Sequence, residues 1–182
     1  MLKGEKCLSP KCTMIKRPYA PGQHGQSFSK KQSEYGKQLR EKQKARRIYG
    51  ISEAQFSNCV ESAEKQVGNT SLNLMQLLER RLDNVVYRAG FAASRSEARQ
   101  IISHGKIVVN DNKVNIPSYI LNQGDVTAPK KQSKEIELST SGVPTWLDLD
   151  PKKRAVKVVH VPMQEEIDTT VNSSLIIEFY SR

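Results

Sequence analysis

The stretch "SRSEARQIISHGKIVVNDNKV", residues 94–114, changes its periodicity half-way along. As far as His104 the apolar residues Ala98, Ile101 and Ile102 recur at helical spacing. Beyond Gly105 the pattern is that of a strand: Ile107, Val108 and Val109, a turn at Asp111-Asn112, then Val114. Ser94 and Glu97 stand in the S-x-x-E relation of a capping box, and Gly105 sits where a left-handed C-terminal cap is needed. A short helix therefore runs straight into a hairpin. Arg95 and Arg99 are one turn apart and share a flank of that helix, while Lys106 carries the same basic surface onto the hairpin. The first turn of the helix also offers N–H groups to phosphate. Such a unit suits the shape and phosphate spacing of folded RNA. Spacing alone allows equally for two arginines that merely solvate a helix face.

Upstream, the pattern is helical from Ser33 through "SEYGKQLREKQKARRIYG" to about Gly50. Ser52, with Gln55 three residues on, opens a second helix whose face is Phe56, Val60, Ala63 and Val67, ending before Gly68. Thr70 or Ser71 caps a third, with a stripe of Leu74, Leu78, Leu82 and Val85 widened by Leu77 and Val86. Downstream, strands are expected near 106–110, 113–116 and 125–128, separated by "DN" and "NQGD" turns. A polar connection follows at 129–145, then a strand in "RAVKVVHVP" (154–162). The segment "NSSLIIEFYSR" (172–182) reads either as an edge strand or as a helix capped by Asn172 and burying Leu175, Ile176 and Phe179; the helix is preferred. Residues 1–32, with Pro10, Pro18 and Pro21 among glycines, form an irregular arm unable to build a core alone.

At 182 residues and a net charge of +10 the chain calls for a polyanionic partner, nucleic acid before anionic lipid. The charge is concentrated: residues 1–60 hold thirteen Lys/Arg against four Asp/Glu, whereas the remainder is nearly balanced. In "KQLREKQKARR" (37–47) only Leu39 and Ala45 are apolar, so cations are expected to surround a helix better suited to phosphate than to a protein core. No apolar run is long enough to span a membrane, and "MLKGEKCLSP" lacks the apolar centre of a secretory leader. Three cysteines, Cys7, Cys12 and Cys59, are too few and odd for a disulfide framework and point to a reducing, cytoplasmic compartment. Cys59 is expected as a small buried hydrophobe, and His104 as a helix C-terminal residue. His160 is expected in a strand without an acidic neighbour. No nucleophilic triad, phosphate-binding glycine loop or reactive carboxylate pair is present, so no enzymatic activity is expected. Asp83 is expected to pair with a nearby arginine.

"RRLDNVVYRAGFAASRSEARQIISHGKIVVNDNKVNIPSYILNQGD" (80–125) closely resembles the S-four RNA-binding module, also called the alpha-L motif, which occurs in several kinds of RNA-binding protein. "RPYAPGQHGQ" (17–26), "YGKQLREKQKARRIYGISEAQF" (35–56), "LLERRLDNVVYR" (77–88), "NIPSYI" (115–120), "PTWLDLD" (144–150) and "EFYSR" (178–182) resemble, in order, the bacterial or organellar small-subunit ribosomal protein S-four family. The resemblance implies an α+β fold with an irregular basic arm (1–32), a helical domain (33–80) completed by 146–182, the inserted module (81–128) and the connection 129–145. That connection is shorter than in many relatives.

The resemblance further implies a structural protein of the small ribosomal subunit. It would bind a junction in the five-prime domain of small-subunit rRNA, nucleate assembly, and contribute to the messenger entry channel and to decoding accuracy. Implied partners are rRNA, messenger RNA and the ribosomal proteins S-five and S-three, with no membrane. The ribosome implied is cytoplasmic, with an organellar one, in stroma or matrix, as the alternative. In the module, Arg81, Asn84, Arg88, Ser94, Arg95 and Arg99 inherit rRNA contacts. From the matched N-terminal blocks come Arg17, Tyr19, Gln23, His24 and Tyr35; the basic helix adds Lys37, Arg40, Lys42, Lys44, Arg46 and Arg47. Lys30 and Lys31 are the candidates for the entry channel. Many relatives complete a zinc or iron–sulfur knuckle with an upstream cysteine pair. Cys7 and Cys12 are the only candidates here, with His24 as a third ligand, and no bound metal is expected without further ligands upstream. Two other readings remain: an RNA-modifying enzyme that borrows the module, for which no catalytic domain is recognisable, and repression of the protein's own message as a second activity.

Overall fold

The computed structural model describes residues 7, 9–26, 33–130, 142–167 and 170–181. Seven α-helices are described: α1 (Thr13–Lys16), α2 (Glu34–Tyr49), α3 (Glu53–Glu64), α4 (Thr70–Glu79), α5 (Leu82–Arg88), α6 (Arg95–Ser103) and α7 (Ser173–Tyr180). Five strands, β1 (Ile107–Val109), β2 (Asn112–Lys113), β3 (Val126–Pro129), β4 (Leu147–Asp150) and β5 (Ala155–Val158), form an antiparallel sheet in the order β2-β1-β3-β5-β4. The fold is α+β, as the sequence implies.

Local chemistry sets the helix ends. Ser33, Ser52, Ser94 and Asn172 each accept a hydrogen bond from a backbone N–H in the first turn that follows. Gly50 and Gly105 close α2 and α6 at φ +65° and +66°. The β1–β2 hairpin turns on Asn110 and Asp111, both at positive φ, one residue earlier than the turn expected from sequence. The third cap also differs. Asn69, rather than Thr70 or Ser71, accepts from the Ser71 N–H at 3.0 Å. Asn69→Ala should therefore cost about 1 kcal/mol in urea unfolding, and Thr70→Ala much less.

The apolar stripe read as one helix is two. The chain turns extended at Arg81, and Leu74 and Leu78 face one core while Leu82, Val85 and Val86 face another. The first core gathers Ala45, Phe56, Val60, Leu74 and Leu78 with Ile167, Val171 and Ile176. The second gathers Leu82 to Phe91, Ala98, Ile102, Ile107 and Leu121 with Trp146, Leu147, Val156 and Val158. The C-terminal segment is thus shared. Residues 147–158 extend the sheet beside β3, and only Ile167, Val171 and α7 return to the helices. β5 satisfies the free edge of β3, a stronger demand than allegiance to neighbours in sequence.

Smaller corrections have equally local causes. Val67 lies beyond α3 and is exposed. The expected strand 113–116 shrinks to Asn112–Lys113, because residues 117–121 fold back on the α4–α5 break. There the Leu82 N–H donates to the Tyr119 carbonyl (2.8 Å), Leu121 N–H to the Arg80 carbonyl (2.9 Å) and Arg80 Nε to the Leu121 carbonyl (2.8 Å). In α7 only Ile176 is fully buried; Leu175 and Phe179 are half-buried. His160 follows β5 and has an acidic neighbour after all, Glu166 at 3.0 Å. Cys59 is half-buried, and burial raises its thiol pKa. No helix among the described residues is long and apolar enough to cross a membrane.

Candidate nucleic-acid interface

Along the described part of the arm, α1 buries nothing, and Arg17, Tyr19, Gln23 and His24 are all exposed. Lys30 and Lys31 lie outside the described residues. Cys7 and Cys12 are half-buried, and no group of three or more potential metal ligands occurs among the described residues.

Helix α2 is two-sided, which its composition conceals. Gln38, Lys42, Ala45 and Tyr49 are buried at intervals of four, three and four, and the helix packs on α7. Lys42 does not face solvent. Its ammonium binds Glu53 and lies 4.6 Å from the centroid of the Phe179 ring. Arg46 reaches the same carboxylate at 2.6 Å, and Lys42 and Arg46 together hold Glu53 below the usual carboxylate range. Lys37, Arg40, Lys44 and Arg47 are exposed at intervals of three, four and three, a cationic stripe nearly opposite the buried one. Lys37 touches Glu34 (2.7 Å), and Lys44 touches Glu41 (3.1 Å) and the Thr170 carbonyl. Such exposed pairs yield readily to a phosphate. Tyr35 is half-exposed and tilts against Phe179, ring centroids 5.6 Å apart.

Most polar groups expected to face rRNA in the module turn inward. Arg81 is only 4% exposed and binds Asp83 through both Nε (3.1 Å) and Nη2 (2.9 Å). Asn84 is buried and donates to the Glu79 carbonyl (2.9 Å) and carboxylate (2.7 Å). Arg88 clasps that carboxylate at 3.1 and 3.3 Å, and the Tyr49 hydroxyl donates to it at 2.7 Å. Arg95 gives Nε to Asn84 Oδ1 (2.8 Å), its guanidinium carbon 4.6 Å from the Tyr87 ring centroid and 5.0 Å from that of Tyr49. Arg99 binds Asp83 and the carbonyls of Tyr49 and Gly50. Ser94 caps α6, and Lys106 is half-buried at the start of β1.

Sequence reading missed Glu79. Burial alone would raise its pKa; Arg88 beside it, with hydrogen bonds from Arg88, Tyr49 and Asn84, outweighs burial and holds the carboxyl below its ordinary range. The signal was a single carboxylate in an apolar run, followed by Arg80, Arg81 and Arg88. Asp83 pairs with Arg81 and Arg99, as expected. Tyr49, whose hydroxyl is pushed well above its usual pKa by burial and then by Glu79, carried no signal beyond its place at a helix end.

Two family models match the chain: "Ribosomal protein S4/S9 N-terminal domain" over residues 1–79 and "S4 domain" over residues 80–126. The small ribosomal subunit protein uS4 of Pelotomaculum thermopropionicum is 52% identical over 189 residues, spanning all of this chain and 90% of that protein. The uS4A protein of Symbiobacterium thermophilum is 54% identical and the uS4 protein of Clostridioides difficile 50%, with the same coverage. The chain belongs to the uS4 family of small ribosomal subunit proteins. A uS4 protein is a ribosomal component, not an enzyme. The boundary between the two uS4 models, 79/80, falls at the α4–α5 break, where Glu79 ends one helix and Arg81 precedes the next.

Proposed function

We propose that this uS4-family chain binds small-subunit rRNA through the exposed arm (Arg17, Tyr19, Gln23, His24) and the cationic stripe of α2 (Lys37, Arg40, Lys44, Arg47), and so nucleates assembly at the five-prime domain junction. The observation that carries this reading is the stripe itself: four cations at helical spacing, on the face of α2 turned away from its own core. Each cation that meets a phosphate releases condensed counterions, so affinity should fall steeply with salt. On the module, Ser94 at the start of α6 and Lys106 ahead of β1 complete the proposed contact set. Tyr35, at the open end of α2, offers a ring for base stacking.

Lys42, Arg46, Arg81 and Asn84 are left out of the contact set because their polar groups already serve the fold. Arg88 is excluded for the same reason: its guanidinium is held by Glu79. Contribution to the messenger entry channel through Lys30 and Lys31, to decoding accuracy, and contacts with proteins S-five and S-three extend the same proposal, supported by the resemblance of the N-terminal blocks.

The test is binding to the five-prime domain of small-subunit rRNA against an unrelated folded RNA across a salt series. A preference that persists at physiological salt supports the reading; equal affinities that collapse together refute it. Arg40→Ala with Arg47→Ala should lower the salt slope by up to about 1.8, two contacts at about 0.9 each, with thermal stability unchanged. An unchanged slope removes the stripe from the interface.

A further inference from the structure

Arg99 projects from α6, in the RNA module, yet two of its partners are carbonyls at the end of α2, in the helical unit. Nη2 donates to the Tyr49 carbonyl at 3.0 Å and Nη1 to that of Gly50, while Nε and Nη2 bind Asp83 Oδ2 at 3.2 and 2.7 Å. Four of the five N–H groups of a guanidinium are thereby directed at protein acceptors. The carbonyls it takes belong to a helix C-terminus, where a cation is favoured by the helix dipole and meets acceptors that the helix itself leaves open. Asp83, its anionic partner, is buried in the first turn of α5 and is bound by Arg81 as well, the two guanidinium groups sharing Oδ2. Arg95, one turn earlier on α6, lies between the rings of Tyr49 on α2 and Tyr87 on α5. Gly50 completes the joint. A Cβ there would meet Arg99 Nη1 at 3.3 Å, and φ is +65°. So the residue that ends α2 also leaves room for the guanidinium from the other unit.

We infer that Arg99, with Arg95 beside it, is a positioning residue that fixes the helical unit against the RNA module and so holds the rRNA-binding surface in its binding-ready arrangement, rather than a phosphate ligand. The inference rests on the rRNA-binding reading above. A contact set divided between two cores, the α2 stripe on one and Lys106 on the other, matches one folded RNA only at a particular mutual angle. A chain without the joint pays the ordering entropy at the moment of binding. The geometry asks for a forked donor and not merely for charge. Lysine cannot serve Asp83 and two carbonyls from the same place.

Arg99→Met and Arg99→Lys are compared with the parent for binding to the five-prime domain RNA and to an unrelated folded RNA across a salt series. Arg99→Met is expected to lose about tenfold in five-prime-domain affinity with the salt slope unchanged and unrelated-RNA affinity within about twofold; Arg99→Lys should do no better. A slope lower by about 0.9 in Arg99→Met, or parental affinity in Arg99→Lys, makes Arg99 a phosphate ligand and overturns the inference. A parental chain that shows no preference sinks the rRNA reading alone, because a second measurement needs no RNA. Trp146, the sole tryptophan, reports on the module core, while far-UV helicity is dominated by the helical unit. The two urea transitions should coincide in the parent and separate in Arg99→Met; coincidence in both overturns the inference. If Arg99→Met does not fold, Arg99→Lys decides by the same readouts.

Discussion

Replacing Glu79 with alanine should cost about 3–5 kcal/mol, a large share of the stability of an ordinary domain. The carboxylate is 1% exposed and accepts from Tyr49, Asn84 and both donor arms of Arg88. Its removal takes the carboxylate partner from a half-buried guanidinium, a buried hydroxyl and a buried amide, and each carries its own desolvation cost. Glu79→Gln keeps the shape and one acceptor, so its loss should fall between alanine and the parent. Urea unfolding followed through Trp146 and through helicity gives the free energies. A loss under about 1 kcal/mol for alanine would mean that the network contributes little.

The same residue sets a pH dependence. Because the folded state holds Glu79 below its ordinary pKa, the folded form releases this proton more readily than the unfolded chain. Its ionised contribution is complete above the unfolded value of about 4.3 and is lost as pH falls through the lower folded value. The parent should therefore lose stability toward acid more steeply than Glu79→Gln, the two curves converging there. Parallel curves would place the acid lability elsewhere.

Trp146→Ala should be equally severe, about 3–5 kcal/mol, although it lies twenty residues beyond the end of the matched S4 domain at 126. The indole is 0% exposed, in one cluster with Leu82, Phe91, Ile102 and Leu121. The remainder of the chain thus supplies the ring that fills the module's interior. Calorimetry is the appropriate reading, since the substitution removes the fluorophore. A fragment limited to residues 80–126 should by the same reasoning fail to give a cooperative transition. If it unfolds cooperatively, Trp146 covers the core rather than completing it.

Caps and glycines made much of this fold legible. Ser33, Ser52, Ser94, Asn172, Gly50 and Gly105 act through backbone groups within a turn or two, so their reading needs no knowledge of distant chain. The α4–α5 break was illegible for the opposite reason. Leu78 and Leu82 are four apart, as on one helix, but they answer to different cores, and periodicity records only that both are buried. Charge is ambiguous in the same way. Lys42, Arg81, Arg95 and Arg99 have the composition of a phosphate-binding surface, yet each finds an anion, a carbonyl or an aromatic ring contributed from elsewhere in the fold. The stripe at Lys37, Arg40, Lys44 and Arg47 could have been separated from its neighbours by asking which cations fall opposite Ala45 and Tyr49.

Both cores draw on the last stretch of the described chain: β4, β5 and Trp146 for one, Ile167, Val171 and α7 for the other. A nascent chain emerging N-terminus first therefore cannot finish either half early. Its arm and α2 appear long before α7, the helix against which the buried face of α2 rests. Until then the part of that face that meets it, with Gln38 and Lys42, stays open beside a dense run of positive charge. Translation order thus makes completeness a condition of shape. A prematurely terminated product lacking α7 would present an unsealed helical half.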